Sequence, residues 1–229
     1  MAILKRLAAP KFWKIPRKVK KFVISPRPGP HQKKLYIPLG VIIRDYLKYA
    51  ETLKEVKKIL NQKIVSINGK IRKDYRFPVG LMDVLRVGDM FYRVMPNKNG
   101  LYLKEISDSN IKLSKVVDKT YIKKNNVQIN LHDGTNFVVK RDEDKFKTGD
   151  VIVFDLTKNE RKEVLKLEKG CVAVIAYGAK SGKICVLDEI KIIRSLQPNI
   201  AIVKIDEKQV KIPKDYIFVI GKEKPIIQI

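Results

Sequence analysis

The sequence predicts an α+β, multidomain fold: an extended basic arm, a small helix–hairpin module, a central small β-barrel or sandwich, and a C-terminal unit of strands. Three observations carry this. The chain of 229 residues places a run of cations before its first acid, Asp45. Its apolar residues pass from helical spacing to strand alternation after Asn61, and glycine-bearing turns then recur at short intervals. The expected boundaries are 1–36 for the arm, 37–96 for the module, 97–168 for the central domain and 169–229 for the last.

Charge narrows the classes of function. Lys and Arg number 49 against 24 Asp and Glu, a formal net charge of +25. Hydrophobic residues make up 45%, enough for real cores. No apolar run, such as residues 171–177, approaches the roughly 20 residues a membrane span needs. Lys5, Arg6, Pro10 and Lys11 interrupt any secretory h-region. Two cysteines and two histidines suit neither a disulfide framework nor a zinc cage. The expectation is a soluble intracellular protein with a polyanionic partner, and with no metal, cofactor, small-molecule substrate, membrane or homo-oligomeric partner.

The arm holds eleven Lys or Arg and no acid in residues 1–36. These are Lys5, Arg6, Lys11, Lys14, Arg17, Lys18, Lys20, Lys21, Arg27, Lys33 and Lys34. Pro10, Pro16, Pro26, Pro28 and Pro30 remove backbone donors. Self-repulsion then predicts a segment disordered until it meets phosphate. A merely solubilising tail would not interleave Phe12, Trp13, Phe22 and His31 with its cations, so Trp13 and His31 become candidates for stacking on bases or docking.

After Pro38, Ile42/Ile43, Tyr46/Leu47 and Ala50 recur at helical spacing, with Arg44 and Lys48 four apart on another face. Thr52-Leu53-Lys54-Glu55 is a capping box opening a second helix. Val56, Ile59 and Leu60 form its buried stripe, and Lys54, Lys57 and Lys58 form a basic ridge. Taken singly, such a ridge is an ordinary solvated face; two of them beside a basic arm point to phosphate. Residues 64–67 alternate as a strand, Asn68-Gly69 is a strong hairpin signal, and Lys63, Lys70, Arg72, Lys73 and Arg76 surround it. Val87-Gly88-Asp89 then turns into a strand over 90–95. This order, over about residues 42–104, resembles the small RNA-binding module of bacterial ribosomal protein four, tyrosyl-tRNA synthetases and pseudouridine synthases. The resemblance implies that helix face and hairpin bind RNA backbone together.

Strands are expected over 101–106, 120–123, 127–131, 136–140 and 151–156, with turns at Asp133-Gly134 and Thr148-Gly149-Asp150. The short spacing suggests a small barrel or sandwich. A net charge of only +3 across 97–168 argues that this part spaces or docks rather than binds phosphate.

Lys169-Gly170 opens the last unit: strand 171–175, a turn with Gly178, Lys180, Gly182 and Lys183, then strand 184–187. Glycines allow close approach of a phosphate and lysines neutralise it. A phosphate-loop ATPase signature fails, because three residues rather than four separate Gly178 from Gly182-Lys183 and Ile184 follows. The strand–turn–strand resembles the KOW motif of ribosomal and elongation proteins, which implies an SH3-like barrel. Cys171 and Cys185, alternating with Val and Ile, are expected to be inert core thiols. Residues 215–222 end in a last strand.

The segments Lys5-Arg6-Leu7-Ala8-Ala9-Pro10-Lys11, Pro26-Arg27-Pro28-Gly29-Pro30-His31 and Leu47-Lys48-Tyr49-Ala50 are similar to one family across essentially the whole chain. Glu55-Val56-Lys57-Lys58-Ile59, Met82-Asp83-Val84 and Phe218-Val219-Ile220-Gly221-Lys222 are similar to it too. That family is the small-subunit ribosomal protein four of archaea and eukaryotes. The early end after Pro225 fits the archaeal branch. The resemblance implies a structural constituent bound to small-subunit rRNA and neighbouring ribosomal proteins, in the cytoplasm, and no catalysis. Two alternatives stay open: a free KOW-bearing translation or transcription factor, and an RNA-modifying enzyme. For the latter, His31 and His132 lack any accompanying nucleophile motif.

Overall fold

The computed structural model describes residues 3–32, 35–107, 110–123, 125–158, 160–195, 197–206 and 208–228. Contacts divide the chain into two compact units, residues 1–95 with 99–109 and residues 96–98 with 110–229. The architecture is mostly β with few helices. Among the described residues no helix is long and apolar enough to cross a membrane.

In the first unit, β1 (Leu4–Lys5) and β2 (Phe22–Val23) pair antiparallel. β3 (Tyr36–Pro38) runs into α1 (Leu39–Val41), which continues as a π-helical turn over Ile42–Tyr46. Leu39, Val41, Ile42 and Ile43 are all fully buried, so the first part of this element is enclosed, while Arg44, Asp45 and Tyr46 after it are half-buried. The apolar spacing predicts a regular helix sharing Arg44 and Lys48 on one face; the coil observed is wider and shorter. Leu47 N–H bonds the Ile42 carbonyl at 2.9 Å, and Lys48 turns to φ 58°, outside the helix.

The next helix forms where the capping box places it. α2 (Leu53–Asn61) is capped by Thr52, whose side chain accepts from Glu55 N–H while the Glu55 carboxylate accepts from Thr52 N–H. Hydrogen bonds from Glu51 N–H, then from Thr52, hold the Glu55 carboxyl below its ordinary range. Then come β4 (Val65–Ile67), β5 (Lys70–Ile71), β6 (Pro78–Gly80), β7 (Val84–Val87), β8 (Met90–Asn97) and β9 (Gly100–Glu105). β6 pairs with β3, and the others form a five-stranded sheet in the order β5-β4-β7-β8-β9. Asn68 (φ 50°) and Gly69 (φ 76°) are both left-handed, the geometry a two-residue hairpin requires. Asn68 also ties down the hairpin from its far side, accepting from Val84 N–H at 3.0 Å and donating to Asp83 Oδ1 at 2.8 Å.

The described part of the N-terminal segment corrects the expectation of a coreless arm. Trp13, Ile15, Val23 and Ile24 are buried, and residues 3–32 belong to the first unit. The missing acids are replaced by backbone carbonyls. Arg6 Nη1 donates to Pro16 O at 2.8 Å, and Arg17 donates to Ala9 O and Pro10 O, each at 2.7 Å. A proline-rich stretch lacks N–H groups to satisfy its own carbonyls, and these guanidiniums supply the donors. Two glycines make room for the segment. A Cβ on Gly80 would lie 2.4 Å from the His31 ring, and one on Gly40 would lie 2.8 Å from Ile24 Cδ1.

The second unit holds β10 (Ile111–Ile122), β11 (Asn126–Leu131), β12 (Asn136–Lys140), β13 (Val151–Asp155) and β14 (Glu160–Leu165) as one antiparallel sheet, ordered β12-β11-β10-β13-β14. Val116, Val127, Ile129, Leu131 and Ile152 form its core, with Phe137 and Phe146 packed against it. β15 (Val172–Ile175), β16 (Ile184–Lys191), β17 (Ile200–Ile205), β18 (Lys208–Pro213) and β19 (Ile217–Gly221) form the other sheet, ordered β18-β17-β16-β15-β19. The division expected at residue 168 falls inside this unit, because β19 packs on β10, β13 and β14. Lys115 Nζ on β10 donates to Asp215 O and Ile217 O, both at 2.8 Å. The His132 ring meets that of Phe218 edge-on at 5.3 Å. Lys112 Nζ, Ser114 Oγ and Thr135 Oγ donate to the buried Asp133 carboxylate. Burial pushes that carboxyl up, but the Lys112 ammonium, His132 and these hydrogen bonds hold it well below the usual range.

Candidate nucleic-acid interface

The basic ridge of α2 follows from its buried stripe. Val56 and Leu60 are buried, which leaves Lys54, Lys57 and Lys58 exposed on the opposite face. Lys63 and the hairpin residue Lys70 are exposed as well. Beyond β5, residues 72–77 carry Arg72, Lys73 and Arg76 around Tyr75 and Phe77. Lys57 Nζ lies 5.3 Å from the Tyr75 ring centre, the Arg76 guanidinium lies 5.7 Å from it, and Arg72 lies 4.3 Å from the Phe77 ring centre. Through the Tyr75 ring, Lys57 of the helix and Arg76 of the loop therefore lie together.

The loop is held from behind by main-chain bonds. Gly40 N–H donates to Tyr75 O at 2.8 Å and Leu39 N–H to Phe77 O at 2.9 Å. Arg27 N–H donates to Arg76 O at 3.1 Å, and the Arg27 guanidinium pairs with Asp74 at 3.2 Å. The N-terminal segment thus lies beside the loop and braces it.

The other sequence-derived candidates divide by burial. Lys5, Lys11, Lys14, Lys18, Lys20 and Lys21 are exposed. Arg17 is half-buried on the carbonyls of Arg6, Ala9 and Pro10, and Arg6 is buried. Lys33 and Lys34 lie outside the described residues. Trp13 is a correction: its indole is 2% exposed and donates to Tyr36 O at 2.9 Å, so it stacks on no base. His31 is another, buried against Asp83 with Nε2 2.6 Å from Oδ2. Arg44 is paired with Asp45 at 2.7 Å, which spends its charge internally. Lys48 stays exposed.

In the second unit, Gly178 (φ 93°) and Gly182 (φ 87°) shape the turn between β15 and β16. Lys180 is exposed, and Lys183 pairs with Asp206 at 3.3 Å. Cys171 and Cys185 are buried. Burial pushes both thiols up, Cys185 to about 12 with Cys171 beside it. His132 Nδ1 accepts from Lys115 N–H at 3.0 Å. Among the described residues no group of three or more His, Cys, Asp or Glu is disposed to hold a metal.

Tyr75 and Phe77 are absent from the sequence-derived set. Their signal was present: Arg72-Lys73-Asp74-Tyr75-Arg76-Phe77 interleaves cations with aromatics just as the arm does. In the arm the aromatic Trp13 went inward; in this loop the rings carry cations.

Three family models match the chain. The S4 domain matches residues 41–85, the RS4NT (NUC023) domain residues 3–34, and ribosomal family S4e residues 89–161. The small ribosomal subunit protein eS4 of Archaeoglobus fulgidus is 41% identical over 98% of this chain and 97% of its own length. The protein of that name from Methanocaldococcus jannaschii is 40% identical over 99% and 96%. The crystal structure of 30S ribosomal protein S4e from Thermoplasma acidophilum superposes with a TM-score of 0.71 at 29% identity, covering 82% of this chain and 95% of that one.

Proposed function

The chain belongs to the ribosomal S4e family, and from that premise we infer that it is a structural constituent of the small ribosomal subunit. The family is one of structural ribosomal proteins, not of enzymes. Its partners are small-subunit rRNA and neighbouring ribosomal proteins, and its compartment is the cytoplasm, where the ribosome works. The observation that carries the RNA contact is the joined surface of Lys54, Lys57, Lys58, Lys70, Arg72, Lys73 and Arg76, within the stretch that matches the S4 domain.

Ammonium and guanidinium groups at that spacing meet phosphates and sugars, which fix the register of a bound backbone without reading its sequence. The shallow minor groove of A-form RNA, lined by phosphates and sugars, suits such a cationic face. The exposed lysines at positions 5, 11, 14, 18, 20 and 21 offer the backbone further cations on the N-terminal segment. The C-terminal sheet acts as a KOW-type module of the SH3-like kind, with Gly178, Lys180, Gly182 and Lys183 as a secondary phosphate contact. Trp13, His31 and Arg6 serve the core instead.

Sedimentation tests the assignment. In a sucrose gradient at high salt, the tagged chain should migrate with the small subunit in equimolar amount. A chain that stays at the top of the gradient would be a free factor rather than a subunit component.

A further inference from the structure

Arg72 differs from the lysines around it. Its guanidinium lies over Phe77 at 4.3 Å, and its Nε is buried with no hydrogen-bond partner. Its burial takes the Nε edge of the guanidinium out of reach of a ligand. Both ends of the stack are fixed by main chain. Arg72 N–H donates to Val65 O at 3.1 Å, Phe77 N–H donates to Asp74 O at 3.0 Å, and Phe77 O accepts from Leu39 N–H. The next residue, Pro78, is buried in β6.

We propose that Arg72, seated 4.3 Å above the centre of the Phe77 ring, is a pre-organised phosphate fork that sets the register of the RNA backbone on this face, an assignment that rests on the rRNA reading above. Stacking engages the face of a guanidinium and leaves its in-plane N–H groups for hydrogen bonds. With Nε covered, the terminal Nη pair is the remaining edge, and two parallel N–H bonds from one planar group match two oxygens of a phosphate. Among the described residues no carboxylate pairs with Arg72, so none of them compensates its charge. Lys57, Lys58 and Lys70 are point charges on flexible stems; they attract a backbone but tolerate sliding. Arg72 is restrained before binding, so less rotamer freedom is lost on contact.

Charge-conserving substitutions in the full chain separate a fork from a mere cation. Affinity for the cognate small-subunit rRNA is measured across a salt series for the wild type, Arg72→Lys and Phe77→Leu, with circular dichroism on each. Arg72→Lys keeps the charge and loses the fork; Phe77→Leu keeps the arginine and loses its platform. Each should weaken binding about 5- to 20-fold while leaving the slope of log affinity against log salt unchanged, since no cation is removed. Arg72→Lys binding within twofold of a wild type that itself binds would overturn the fork alone. A wild type that fails to bind would overturn the rRNA reading and the fork with it.

Discussion

The Nε2 of His31 lies 2.6 Å from Oδ2 of Asp83, and both side chains are almost wholly buried. The same carboxylate oxygen accepts from Gly80 N–H at 2.9 Å, and the other accepts from Asn68 at 2.8 Å. One carboxylate thus joins the proline-rich N-terminal segment, the turn between β6 and β7 and the Asn-Gly hairpin.

Removing the imidazole should therefore loosen more than its own residue. His31→Ala leaves a buried carboxylate short of one partner, which costs about 3 kcal/mol. Denaturant unfolding should show that loss, and limited trypsin digestion should reach Lys18 and Lys20 sooner. An unchanged midpoint would mean the contact adds nothing to stability.

Lys115 gives the second unit a dependence on alkaline pH. Burial, and secondarily Lys214, lowers its ammonium to about 8 against the opposing pull of Asp215. Between about 8 and the ordinary value of 10.5 the unfolded chain binds this proton and the folded chain does not. Stability from this group accordingly rises with pH across that window, by up to about 3 kcal/mol, and is flat below it. Comparing urea unfolding of the wild type and Lys115→Met from pH 7 to 10 isolates the increment. A difference between them that stays constant with pH contradicts the assignment.

Cys171 and Cys185 should be silent in the folded protein. The thiolate is the reactive form, and burial holds both thiols protonated. Ellman's reagent at pH 8 should label neither until denaturant is added, and then both. Rapid labelling of the native chain would place one of them at the surface.

How much of this was legible depended on distance along the chain. Thr52 with Glu55, Asn68 with Gly69, and Gly88 before Met90 act within four residues, and each element formed where its local chemistry put it. Trp13 could not be read that way: its partner Tyr36 is 23 residues away. The burial of His31 needed Asp83, 52 residues on. β14 and β18 escaped notice because sheet edges carry charge, and Glu160, Arg161, Lys208 and Lys211 hide the alternation. The cations of α2 and the hairpin were legible singly. That Lys57 and Arg72 meet Tyr75 and Phe77 required the loop to fold back beside α1.

The central claim is that the face shared by α2, the hairpin and the loop after it holds rRNA phosphates. The salt dependence of rRNA binding by the wild type and by the triple variant Lys54→Ala, Lys57→Ala, Lys58→Ala tests it most directly. These side chains are exposed, so the fold should survive, as circular dichroism would verify. At roughly 0.7–0.9 per phosphate, the slope of log affinity against log salt should become shallower by about 2 units, with the largest loss of affinity at low salt. Identical slopes and affinities for the two proteins would place the RNA-binding face elsewhere.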